Sequence, residues 1–272
     1  MTTSDTPELA DDGRMSLMEH LTELRRRIII SIIAIAIGAT VAWTFYDPIF
    51  EFLVDPYCSA LEDNGQALVT TGSIEGDSGC GAPLLVTDPL EGFATRLKVA
   101  GYVGIAIAMP IILYQLWRFV SPGLYAKERR WAFPFVISAL FLFFLGAGLA
   151  YWTLPKALGF LIDIGGSNLL TAYSPNAYLS LITYMMLAFG IGFEFPILLV
   201  FLQLAGILQT DTLRRSRRYA WVVIFVLVAV ITPSGDPISL FALALPMCFF
   251  YEISILIGAF NERRRRKAEL VP

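Results

Sequence analysis

The chain has 272 residues, 56% of them hydrophobic and 13% aromatic, with a mean hydropathy of +0.65. That balance excludes an ordinary soluble domain. The formal net charge of −3 averages two differently charged faces and points to no nucleic-acid partner. The apolar residues come in blocks of about 20, which predicts a polytopic α-helical protein whose solvent is the lipid bilayer.

In chain order, residues 1–15 are expected to form a disordered cytoplasmic tail. Met1–Gly13 is acidic and lacks the basic start of a cleavable signal peptide. The membrane domain is expected over 16–260, with its first span at 28–46. Just before it stands "MEHLTELRRR", Met18–Arg27. On a helix Glu19 and Glu23 share a face. Glu23 reaches Arg26 or Arg27 at i+3 and i+4, a pairing worth only about 0.2–0.5 kcal/mol. Such local pairs compete poorly with an incoming bidentate guanidinium.

A long loop follows, from about 47 to 94, with nine acids and no Lys or Arg. "DPIFEFLVDPYCSALED" predicts short amphipathic helices lying near the membrane interface. "GQALVTTGSIEGDSGCGAP" is Gly- and Ser-rich and reads as flexible. Cys58 and Cys80 fall in this loop. On the outer side they meet conditions that permit disulfides. A bridge would close about 20 residues and contribute roughly 3 kcal/mol in the chain-entropy model. Two free thiols in a mobile loop are the other reading. Cys248 falls in the last span and reads as core packing.

Further spans are predicted at 99–117, 131–152, 179–204, 219–231 and 238–260. Pro233, Gly235 and Pro237 in "TPSGDP" stop the fifth. Spans five and six are both expected to be short, thinning the bilayer locally. Residues 261–272 form a basic tail. Six spans put both termini on one side. Seventeen of the 20 Lys and Arg residues fall on that side, leaving only Arg96, Lys98 and Lys156 opposite. Both termini are therefore expected in the cytoplasm. No internal repeat is visible.

Catalytic chemistry finds little footing. The single histidine, His20, stands beside the membrane. The spans hold neither a Ser/His pair nor two facing aspartates, no Cys/His group has metal spacing, and no glycine-rich phosphate loop occurs. The chain reads as no enzyme, with no metal and no cofactor. Among intramembrane charges Glu194, in "GIGFEFPILL", stands out. A charge at mid-bilayer costs at least ~2.5–3.5 kcal/mol. Glu194 is either a neutral carboxyl hydrogen-bonded inside the bundle or a working polar group on a concave face. Pro196 beside it removes a backbone donor. Glu252 reads as structural. The loop "RFVSPGLYAKERR", Arg118–Arg130, holds one acid, Glu128, among four bases. It is either a neutralised basic loop or, being apolar and turn-rich, a loop that folds back as a defined surface.

Together "EHLTELRRR" (Glu19–Arg27), "PIILYQLWRFVSPGLYAKERR" (Pro110–Arg130), "FGIGFEFP" (Phe189–Pro196) and "ITPSGDPIS" (Ile231–Ser239) resemble the TatC family, the multispanning receptor of the twin-arginine protein translocase. The resemblance covers roughly Ser16 to Phe260. It implies an all-α, six-helix, cup-like bundle in the plasma membrane of a prokaryote, with both termini cytoplasmic. It implies binding of the twin-arginine signal peptide of folded precursors by Glu23 and Glu128, with Arg25 and Phe119 beside them. The family's intramembrane glutamate falls on Glu194. Its prolines in the first outer loop and second span fall on Pro56 and Pro110, and the acid of its last outer turn on Asp236. The implied partners are TatA- and TatB-type single-span subunits on the outer faces of spans five and six, and further copies of the chain within a receptor complex. Transport is implied to draw on the protonmotive force.

Two departures matter. The last outer turn reads Pro233-Ser234-Gly235-Asp236, one residue longer than usual, and Leu240 stands where some members carry Gln. Thr232 is then expected to supply the polar docking contact. Against the receptor reading stand a proton-coupled small-solute transporter using Glu194, and a scaffold whose acids only balance charge.

Overall fold

The computed structural model describes residues 17–63, 84, 86, 88–120, 132–165, 173–204, 206–233 and 235–269. Among them regular structure is entirely helical: α1 (Leu17–Thr44), α2 (Tyr46–Asp63), α3 (Glu91–Val120), α4 (Ala132–Gly165), α5 (Pro175–Leu204), α6 (Thr210–Arg215), α7 (Arg217–Ile231) and α8 (Pro237–Glu269). The helices outrun the apolar blocks because Lys, Arg and Glu are good helix formers and hold their charges out to water.

Among the described residues five helices are long and apolar enough to cross a membrane: Leu21–Thr44, Glu91–Phe119, Pro134–Gly165, Pro175–Gln203 and Pro237–Phe260. This is a membrane protein. Helix α7 has 15 residues. At 1.5 Å per residue it spans roughly 22 Å, less than the ~30 Å hydrocarbon core of a bilayer. The expectation that both last spans are short is corrected for α8, whose apolar stretch alone has 24 residues. The proline-rich turn stops α7 but starts α8: Pro237 occupies the first helical position, where its missing N–H costs nothing. Asp236 caps it, Oδ1 accepting the Ser239 N–H at 2.6 Å. Helix α5 opens the same way, with Pro175 first and Ser174 Oγ accepting the Ala177 N–H at 3.2 Å.

Helices α1 and α3 approach closely because each carries small residues four apart. Ala34, Gly38 and Ala42 face Ala100, Gly104 and Ala108, and all six are buried. A Cβ on Gly38 would sit 2.6 Å from the Gly104 carbonyl oxygen. This is the small-xxx-small packing that brings helix backbones together in lipid.

The segment after α1 departs from expectation. In place of several short interfacial helices, Tyr46–Asp63 forms one helix of 18 residues with Pro56 inside it. Its buried side, Leu53, Val54, Tyr57, Ala60 and Leu61, follows helical periodicity and packs on α4 and α5. An amphipathic face lies on lipid or on protein with the same pattern; here the partner is protein.

Candidate functional site

The first element of the site lies where α1 and α3 meet. Glu23 and Arg27 form an i,i+4 ion pair on α1. Arg27 is 8% exposed and its Nη1 also donates to the Gln115 carbonyl of α3 at 3.4 Å. The pair is thus more than the weak surface contact that spacing alone predicts, since α3 fixes its basic partner. The second carboxylate oxygen of Glu23, Oε2, is buried with no hydrogen-bond partner among the described residues. Arg25 and Glu19 are exposed, and Phe119 is half-buried in the last turn of α3. Glu128 lies outside the described residues.

The second element is a cavity of about 700 Å³ bounded by α3, α4, α5, α7 and α8. Its wall is apolar, with Trp117, Phe135, Tyr184, Phe195 and Phe201 supplying aromatic surface. Trp117, Phe135 and Phe201 pack on one another with ring centroids 4.5–5.8 Å apart. Glu194 is the one charged side chain among the described lining residues, and its Oε1 is buried without a hydrogen-bond partner. Gly192 also lines this wall. Its carbonyl is the one that Pro196, four residues on, leaves without an N–H. Helix α3 joins the two elements: Gln115 holds Arg27, while Leu116 and Trp117 face the cavity.

The remaining predicted residues are spread over the molecule. Pro110 is exposed on an unbroken α3, and Pro56 is buried in α2. Thr232 is 5% exposed and its hydroxyl donates to the Val228 carbonyl at 2.8 Å. It is therefore not on the outer face of α7, and its proton is already committed. Glu252 meets Arg217 of α7 at 2.8 Å. Cys58 is disulfide-bonded and Cys248 is a buried free thiol; Cys80 lies outside the described residues. Sequence reasoning missed Gln115 and the Trp117–Phe135–Phe201 cluster. Aromatic residues facing lipid and facing a cavity obey the same composition rules.

The family model for Sec-independent protein translocase protein (TatC) matches residues 19–246. The chain belongs to the TatC family. The Sec-independent protein translocase protein TatC of Frankia casuarinae is 41% identical over 254 residues, covering 93% of this chain and 68% of the relative. The TatC protein of Aquifex aeolicus is 38% identical, with 94% and 99% covered. A crystal structure of the twin arginine translocase receptor TatC superposes with a TM-score of 0.70 at 38% identity, covering 89% of this chain and 99% of that one. A second, in DDM, gives 0.71 at 39% identity, with 88% and 99% covered. As a TatC-family chain the protein is a component of a Sec-independent translocase, a protein of transport rather than catalysis.

Proposed function

We propose that this TatC-family chain is the receptor subunit that binds the twin-arginine signal peptide of folded precursors and exports them with TatA- and TatB-type partners, using the protonmotive force. The observation that carries the reading is the bare, buried Oε2 of Glu23, one turn of α3 from a large apolar cavity. A carboxylate with one oxygen held by Arg27 and one unpartnered suits a second guanidinium. Glu128 is the second acceptor, with Arg25 and Phe119 beside the pair. The apolar segment behind the arginines lies along the cavity wall, near Glu194.

In this reading α7 is a sixth crossing, short enough to thin the bilayer, and both termini lie in the cytoplasm of a prokaryotic cell. TatA and TatB dock on the outer faces of α7 and α8, where Val222, Val226, Val230, Leu245 and Phe249 are exposed. Copies of the chain associate within the receptor complex. On the outer side Cys58 is bridged to Cys80. The reading is tested by Glu23→Ala and Glu128→Ala. Each weakens binding of a twin-arginine precursor while the helical bundle stays folded by circular dichroism. Normal binding by both variants sinks the assignment of this site.

A further inference from the structure

Pro56 lies inside α2. It has no N–H to give the carbonyl four residues back, that of Phe52. Phe52 is itself 52% exposed, so what the proline removes is the in-helix donor rather than access to every other one. The Tyr151 hydroxyl of α4 donates to this carbonyl at 2.9 Å. Its ring stacks on the Phe52 ring, centroids 4.4 Å apart and planes at 8°. One residue on, the buried Tyr178 hydroxyl of α5 donates to the Leu53 carbonyl at 2.7 Å. Tyr57, the residue after the proline, packs its ring on Tyr178 at 5.1 Å.

We propose that Tyr151 is a positioning residue: its hydroxyl takes the place of the N–H that Pro56 lacks, and thereby locks α2 across α4 and α5. The proline creates an acceptor with no donor inside its own helix, and Tyr151 supplies one from α4. An internal helix bond is exchanged for an interhelical one. Tyr178 adds a second tie at the next carbonyl, but the N–H that normally serves that carbonyl belongs to Tyr57 and is intact. The two tyrosines therefore differ in their dependence on Pro56. The lock also bears on the cavity, because α4 and α5 contribute Phe135, Ala139, Tyr184 and Phe201 to its wall. Asp55 Oδ2, at 3.3 Å, is the other acceptor within reach of the Tyr151 hydroxyl. A single proton serves one of them, and the Phe52 carbonyl is nearer.

The test is a double-mutant cycle on the full chain, read by melting temperature in detergent. Tyr151→Phe lowers the melting temperature by about 2–4 °C, the worth of one net hydrogen bond in a chain of this size. In a Pro56→Ala background the same change has no effect, because an N–H at position 56 now bonds the Phe52 carbonyl. Tyr178→Phe is the control, with the same loss in both backgrounds. Asp55→Asn leaves the Pro56–Tyr151 coupling in place. Export of a folded twin-arginine reporter falls with Tyr151→Phe and stays low in the double variant, where the Phe52 carbonyl is satisfied within α2 but the tie to α4 is still missing. Equal loss from Tyr151→Phe in both backgrounds, or coupling abolished by Asp55→Asn, overturns the proposal. Export untouched by Tyr151→Phe removes its positioning role.

Discussion

Arg27 of α1 reaches across to α3 and donates to the carbonyl of Gln115 at 3.4 Å. That contact decides what the arginine run does. Of the three arginines Arg27 alone is buried, while Arg25 and Arg26 are exposed. It holds Glu23 in place, next to the turn of α3 that lines the cavity.

Replacing Glu23 with Gln keeps its shape and removes its charge. Arg27 then loses its counter-ion while remaining buried. Stability is expected to fall by about 1–3 kcal/mol. Affinity for a twin-arginine precursor falls roughly 10- to 150-fold, as expected for loss of a charge-assisted pair worth about 1.5–3 kcal/mol. Glu19→Gln, on the exposed neighbour, binds precursor normally. Titration of a labelled precursor against purified variants reads both effects.

The close approach of α1 and α3 makes a second prediction. A Cβ at position 104 would lie 2.6 Å from the backbone nitrogen of Ala39. Gly104→Ala is expected to cost about 1–3 kcal/mol through overpacking and to loosen the Arg27–Gln115 contact. Gly101→Ala, where a Cβ meets nothing within 4 Å, is neutral. Thermal melts of the two variants compare a crowded position with an open one on the same helix.

Glu194 sets stability against function. A carboxyl in an apolar wall at membrane depth costs about 2.5–3.5 kcal/mol or more on insertion scales. Glu194→Leu should raise the melting temperature and lower export of a folded reporter. A variant both less stable and fully active would show the carboxyl to be a packing element of the bundle.

The start of α8 depends on Asp236. Asp236→Ala removes the acceptor for the Ser239 N–H and is expected to cost about 0.5–2 kcal/mol. Asp236→Asn, which retains an acceptor oxygen, loses much less. Chemical denaturation of the two variants separates capping from charge.

Much of this was legible in the sequence, for reasons that also explain the rest. Apolar length marked the five long apolar helices, and the Pro/Gly-rich turn, legible as a stop for α7, also starts α8, with Asp236 as its cap. The spacing of Glu23 and Arg27 showed that they could pair. It could not show that α3 buries Arg27, because that depends on the approach of Gly38 and Gly104, residues distant in sequence. "DPIFEFLVDPYCSALED" showed amphipathic helix in short pieces, but neither its single length nor its partner. Protein covers that face, and the Tyr151 and Tyr178 hydroxyls each donate to a carbonyl of α2. The cavity was hidden most thoroughly. Phe135 and Phe201 line it, Phe141 and Phe249 are exposed on other faces, and nothing local to any of the four distinguishes them.

The receptor reading stands on the contact between Glu23 and an incoming arginine pair. The most direct measurement is photocrosslinking from a probe at position 23 to a twin-arginine precursor, beside a twin-lysine control. Crosslinking that is strong with the arginine pair and much weaker with lysine is the predicted result, since only guanidinium offers a bidentate fork. Equal crosslinking to both precursors, or none to either, would contradict it.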